Sequence, residues 1–195
     1  MARRSTVDRR SEILSEAAKL FHAKGYGAAS MRDLAGKVGM EAASMYNHIR
    51  SKDELLEVLC FEVGDGYLNR LNEISASDLS YVEKLRAIIR THIRMMIDNG
   101  PAVNVANHDW KHLPPAALKR FIEARKRYEK GVAQLLEEGM AAGELRRMDT
   151  TVALFTLLSS VRWVEPWYKP GRAIAPEVLE ETITTLLLNG LRNPA

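Results

Sequence analysis

Ser30-Met31-Arg32-Asp33-Leu34-Ala35-Gly36-Lys37-Val38-Gly39-Met40-Glu41-Ala42-Ala43-Ser44-Met45-Tyr46-Asn47-His48-Ile49 is the stretch whose reading decides the fold. Ser30 and Asp33 have the spacing of a capping box, in which a cap hydroxyl and a third-position carboxylate satisfy each other's backbone N–H groups. They predict a short helix from Met31 to Val38. Gly39 stops it, and a second short helix is expected from Glu41 to His48. Two short helices joined by Gly39-Met40 have the dimensions of a helix-turn-helix. In such a pair the second helix must be small or polar on one face, so that it can enter a major groove. Here Ala42, Ala43, Ser44 and Asn47 supply that face, while Met45 and Ile49 are expected to pack inward.

Moving outward, Ile13, Leu14, Ala17, Ala18 and Phe21 recur at the three-and-four spacing of one helical face, predicting a helix from Asp8 to Lys24. Gly25 ends it, with Tyr26 placed for the apolar contact that follows a glycine cap. On the other side Ser51 with Glu54 is a second capping box, opening a long helix through Leu55, Leu56, Leu59 and Val63. Ser77 or Ser80 opens the next, expected to end near Asn99 at Gly100-Pro101. Pro114-Pro115 opens another, running to Gly139 and Gly143. Asp149 caps one that Pro166 halts, Lys169-Pro170-Gly171-Arg172 reads as a turn, and a last helix runs from Pro176 to Asn189-Gly190. No strand-like alternation or internal repeat occurs, so the fold class is all-α.

Charge is unevenly spread. The net charge is +3, yet residues 1–52 hold ten Lys/Arg against five Asp/Glu. This excess falls where a phosphate backbone would be met, and the cluster Arg3, Arg4, Arg9 and Arg10 is placed to follow a duplex or reach a minor groove. The single cysteine, Cys60, rules out an intrachain disulfide and fits a reducing cytoplasm. No apolar stretch follows the first arginines, and none is long enough to span a bilayer. No nucleophile triad, phosphate loop or paired-carboxylate signature stands out, so an enzyme is not expected. His108 and His112 have a metal-ligand spacing on a helix, but Pro114-Pro115 follows at once and no metal or cofactor is assigned.

The order of residues from Arg10 to Leu56 resembles the TetR/AcrR family DNA-binding domain. It is carried by Phe21, Gly25-Tyr26, Ser30-Met31-Arg32-Asp33-Leu34-Ala35, Val38-Gly39, Ser44-Met45-Tyr46-Asn47-His48-Ile49 and Ser51-Lys52-Asp53-Glu54-Leu55. The resemblance implies a two-domain, dimeric regulator, usually a repressor. Residues 1–55 would form the helix-turn-helix domain and 56–195 a ligand-binding and dimerisation domain. It also implies that Ser30, Arg32, Tyr46, His48 and Lys52 touch phosphates, and that Ser44 stands where a DNA-contacting threonine is common. Glu41, Ala42, Ile49 and Arg50 depart from the family pattern, which bears on the bases read rather than on the fold.

Further along, Asp109-Trp110-Lys111-His112-Leu113 and Val161-Arg162-Trp163-Val164-Glu165-Pro166-Trp167-Tyr168-Lys169-Pro170-Gly171 resemble a TetR branch of catabolic repressors, whose effectors are often acyl-coenzyme A thioesters. Trp163 and Trp167, four apart on one helical face, would then stack on an adenine. Arg162 would meet the phosphates, assisted by Lys169 or Arg172. Arg125 belongs to the same stretch, and Met96, Val103, Trp110, Phe121 and Tyr128 would line an apolar tunnel. His92, beside Arg90 and Arg94, reads as a surface or pocket-lining residue. A hydrophobic drug or a free acid is the alternative effector, and packing at a dimer interface the alternative role for both tryptophans. The last two helices are apolar over too wide an arc for one buried face. Leu154, Phe155, Leu157, Leu158 and Val161, with Ile183, Leu186, Leu187 and Leu188, are therefore expected to build a two-fold homodimer. The partners expected are a double-stranded DNA operator, a small-molecule effector and a second copy of the chain, with no membrane.

Overall fold

A computed structural model describes residues 6–169, 171 and 174–191; Arg3, Arg4, Pro170 and Arg172 lie outside them. Among the described residues eight α-helices follow in order: α1 (Thr6–Lys24), α2 (Met31–Lys37), α3 (Ala42–Met45), α4 (Lys52–Ser75), α5 (Tyr81–His108), α6 (Pro115–Ala141), α7 (Thr150–Arg162) and α8 (Pro176–Leu191). A 3-10 turn, Trp110–His112, links α5 to α6. No strand occurs among the described residues, so the protein is all-α.

The short elements are set by local chemistry. At the end of α1, Gly25 adopts φ +79° and its N–H donates to the Phe21 carbonyl at 2.7 Å. The Tyr26 ring then meets Phe21 edge-on at 5.2 Å. Both bonds of the Ser30–Asp33 capping box form, at 3.1 and 3.2 Å, so the shorter carboxylate serves as well as a glutamate. Gly39 turns the chain at φ +63°, a region costly for any side chain with a Cβ. The helix expected over Glu41–His48 is only Ala42–Met45. Glu41 makes no side-chain cap bond, and Asn47 and His48 donate one residue short of α geometry, to Ser44 and Met45.

The stops expected in the two longer helices are found. As expected, the helix is interrupted at Asn99, beside Gly100-Pro101: Asn99 leaves helical geometry (φ −139°, ψ 40°), so α5 is two helices joined across a kink, the second running to His108. Burial of Ala102, Val103, Val105 and Ala106 beyond the break outweighs the lost hydrogen bond. Helix α6 ends at Ala141, between the two glycines expected to close it, and Gly143 turns the chain at φ +78°. A Cβ at Gly139 would lie 2.7 Å from Leu145 Cδ1 and 2.9 Å from Tyr81 Cβ, so close packing explains that glycine.

The chain forms two compact units, neither of them one continuous stretch. The first takes the described residues up to Gly64 together with Asn99–Ile122; the second takes Asp65–Asp98 and the described residues from Glu123 onward. The described residues up to 55 therefore share their unit with Asn99–Ile122. Ile13, Leu20, Phe21, Leu34, Met45, Ile49, Leu55 and Leu56 are fully buried in the first unit. In the second, Leu85, Ile88, Ile89, Ile93, Val132, Leu157 and Val161 form the core. There α8 is fastened to α5 by Glu180, only 8% exposed, which takes Arg90 Nε at 2.8 Å and Arg94 Nε at 2.5 Å. Two guanidiniums on one carboxylate supply the partners that a buried charge requires.

Candidate nucleic-acid interface and effector residues

Three basic side chains hold the helix-turn-helix in place. Arg9, on α1, donates through Nη2 to the Val38 carbonyl at 2.9 Å and pairs with Glu12 at 2.6 Å. Its neighbour Arg10 donates to the His48 carbonyl at 2.7 Å and to Glu54 at 2.9 Å. The two arginines thus grip the chain just before the turn into α3 and just after α3. Glu54 is drawn in further by the Arg50 N–H at 2.7 Å. Partial burial opposes ionisation, but the bonds from Arg50 and Arg10 hold this carboxyl below its usual range. Lys52 Nζ donates to the carbonyls of Tyr26 and Ala29, at 2.9 and 3.0 Å, and stands 4.3 Å from the Tyr26 ring centroid. It therefore fastens the loop that leads into Ser30 and Arg32. The Tyr26 hydroxyl donates to Asp53, and its ring stacks on His112 at 5.4 Å. No group of three metal-binding side chains occurs among the described residues.

The face so held is open. Ser30, Arg32, Ala43, Ser44 and Asn47 are exposed, Tyr46 is 54% exposed, and Ala42 and His48 are half-buried. Met45 and Ile49 pack inward as expected. Nδ1 of His48 is buried with no partner among the described residues. Arg9, expected to follow the duplex, spends its guanidinium inside the unit; Lys52 keeps one of three donors for an outside partner. Lys52→Ala should therefore weaken binding to every DNA sequence, flatten the salt dependence by roughly one unit of slope, and lower thermal stability as well. An unchanged slope in a salt series of operator titrations would reject a phosphate contact for Lys52.

The residues expected to meet an effector are distributed over both units. Within the first, Val103 is buried, and Phe121 lies 6.2 Å from the Trp110 ring and 5.7 Å from Phe61. Within the second, Met96 and Tyr128 are buried. Tyr128 Oη lies 2.9 Å from His92 Nε2, and Tyr67 stacks on the His92 ring at 4.4 Å. His92 is not a surface residue: burial pushes its pKa down to about 3, and the charge of Arg162 adds to this. Arg125 is held below the usual guanidinium range by burial first and by Arg162 second, with Glu129 opposing. The field of Arg162 thus reaches Tyr67, His92 and Arg125. Tyr67 escaped the sequence reading because its place on α4 repeats no motif.

Trp163 and Trp167 do not share a helical face. Helix α7 ends at Arg162, since Pro166 has no N–H to donate to the Arg162 carbonyl, and residues 163–167 form turns. Trp163 is 73% and Trp167 49% exposed, the latter edge-on to Tyr168 at 6.2 Å. Of the residues expected at a dimer contact, Leu154, Leu158 and Val161 are buried in their own unit, and Ile183 and Leu187 are half-buried. Phe155 and Leu186 are exposed, joined on the same two helices by Val152 and Val178.

Comparison with known proteins accords with this geometry. Residues 13–59 match the model for bacterial regulatory proteins of the tetR family, and residues 78–191 match the tetracyclin repressor-like C-terminal domain. The HTH-type transcriptional repressor KstR2 of Rhodococcus jostii (strain RHA1) is 28% identical over 190 residues, spanning 95% of this chain and 92% of the relative. The solved TetR family transcriptional regulator PfmR from Thermus thermophilus is 30% identical, with a TM-score of 0.83 over 93% of this chain and 99% of that one. AibR, solved in complex with isovaleryl coenzyme A and operator DNA, is 26% identical, with a TM-score of 0.82 over 96% and 100%.

Proposed function

Since the chain belongs to the tetR family of bacterial regulatory proteins, we propose that it is a dimeric repressor that leaves its operator when it binds an acyl-coenzyme A thioester. The observation that carries the DNA reading is the recognition segment 42–48, small and polar outside and gripped at both ends by α1. Residues 1–55 take the DNA role. Ser30, Arg32, Tyr46, His48 and Lys52 meet phosphates, and Ala42, Ala43, Ser44 and Asn47 set which bases are preferred. A two-fold dimer presents two such segments to successive major grooves, roughly 34 Å apart. Residues 56–195 carry the effector and the dimer contact. The protein performs no turnover and acts in the cytoplasm, where operator DNA lies; no helix among the described residues is long and apolar enough to cross a membrane.

Support for the thioester comes from Arg162 and Arg125, which act on one another electrostatically, from two exposed tryptophans in the turns after α7, and from Met96 and Tyr128, buried in the same unit. A coenzyme A thioester has phosphates for the cations, an adenine for a tryptophan face and an acyl chain for apolar surroundings. That AibR is solved with isovaleryl coenzyme A supports the same assignment. In titration calorimetry Arg162→Ala should weaken thioester binding by about 1.5–3 kcal/mol, the scale of a charge-assisted hydrogen bond, and leave effector-free DNA binding intact. Operator release by free acids or a planar drug, with no thioester bound, would replace this effector class.

A further inference from the structure

Tyr67, His92 and Tyr128 come from three helices, α4, α5 and α6, and meet inside the second unit among Ile88, Ile89, Ile93, Met96 and Val132. The His92 ring stacks on Tyr67 at 4.4 Å and bonds Tyr128 Oη through Nε2 at 2.9 Å. That is the one hydrogen bond either ring makes; Nδ1 of His92 and the Tyr67 hydroxyl have none among the described residues. His92 is itself only 8% exposed.

An apolar core does not need such a group. A phenylalanine or leucine would fill the space without any polar atom to satisfy, and replacing both partners of a buried pair by apolar groups can be nearly neutral. What histidine and two tyrosines bring here is hydrogen-bonding capacity, part of it not used by protein partners. Its charge state narrows the occupant. Burial, and after it the nearby Arg162, keep the imidazole neutral at neutral pH. A neutral imidazole and phenols offer no charge to a carboxylate or phosphate. They suit an uncharged oxygen, which accepts from Tyr67 Oη or an imidazole N–H without bringing a second desolvation cost.

We propose that Tyr67, His92 and Tyr128 form an oxygen-reading subsite, which binds a carbonyl or hydroxyl oxygen on the otherwise apolar body of the effector. The subsite rests on the acyl-thioester reading, with the arginines holding the phosphates. The effectors preferred are then oxygenated acyl groups rather than plain saturated chains.

The test is calorimetry on the full chain with octanoyl-CoA and its 4-, 5-, 6- and 7-oxo counterparts. At least one oxo ester should bind the wild type roughly five- to tenfold more tightly than octanoyl-CoA, the scale of one hydrogen bond. Tyr67→Phe, Tyr128→Phe and His92→Phe should each bring that ratio to within about twofold, and Tyr67→Phe and His92→Phe should leave octanoyl-CoA affinity within about threefold. The tyrosine variants lose a single oxygen, so they remain informative if His92→Phe does not fold. No preference in the wild type, or the same preference in all three variants, overturns the subsite. If no thioester binds at all, the effector reading fails instead. The subsite is then judged by nitrogen-15 histidine spectra with 4-tert-butylcyclohexanone and tert-butylcyclohexane. A His92 shift with the ketone alone supports it, and no shift with the ketone rejects it.

Discussion

Replacing Phe155 and Leu186 together by glutamate should make the protein monomeric at micromolar concentration and lower operator affinity at least about a thousandfold. Phe155 is 49% and Leu186 69% exposed, and Val152 and Val178 flank them on α7 and α8 at 66% and 58%. Four large apolar side chains left in water on two neighbouring helices mark a contact surface better than any one of them does alone. In a two-fold contact each substitution occurs twice. Placing an unpaired carboxylate in a desolvated interface costs roughly 3–5 kcal/mol, so the doubled effect exceeds the strength of an ordinary micromolar dimer. The core of the unit should be untouched, because Leu154, Leu158 and Val161 form the buried side of α7. Sedimentation equilibrium and operator titration read the two effects. A variant that stays dimeric would place the contact elsewhere. As a control, Leu154→Ala should lower stability by about 2–4 kcal/mol without changing the oligomeric state.

Lowering the pH from 6.5 to 5 should cost the wild type about 2 kcal/mol of stability through His92 alone. The folded state holds this imidazole near pKa 3, against 6.5 for the free group, because burial and then the charge of Arg162 disfavour the imidazolium. Between those values the unfolded chain binds a proton that the folded chain does not, so unfolding is favoured by about 1.4 kcal/mol per pH unit. Stability is fully present above about pH 6.5 and is lost progressively as the pH falls toward 3. His92→Gln removes the titration while keeping a group able to meet Tyr128 Oη. Its stability, from urea unfolding at a series of pH values, should be lower at pH 7 but fall less steeply with acid. Parallel slopes for the two proteins would show that His92 charges without penalty.

What was legible in the sequence was what short-range chemistry controls. The capping box at Ser30–Asp33, the glycine stops at Gly25 and Gly39, and the inward pair Met45 and Ile49 each depend on residues within one or two turns. Their order along the chain was enough to read an all-α protein opening with a helix-turn-helix. Gly100-Pro101 is a strong stop, and α5 breaks at Asn99 beside it before a second helix runs to His108. The length of α3 turns on single backbone bonds that a residue pattern does not record, whereas Pro166 already marked the stop that leaves Trp163 and Trp167 off any helix.

Only the tertiary structure decided the rest. Arg9 reaches Val38 across 29 positions, Arg10 reaches Glu54 across 44, and His92 reaches Tyr128 across 36. A helical repeat says that an arc of α7 is apolar. It does not say that Leu154, Leu158 and Val161 turn into the core while Val152 and Phe155 face water, because that choice depends on which helices pack against it. The charge of His92 was equally beyond the sequence, since a histidine's pKa is set by what surrounds it, and the chain assembles those surroundings from three separate helices.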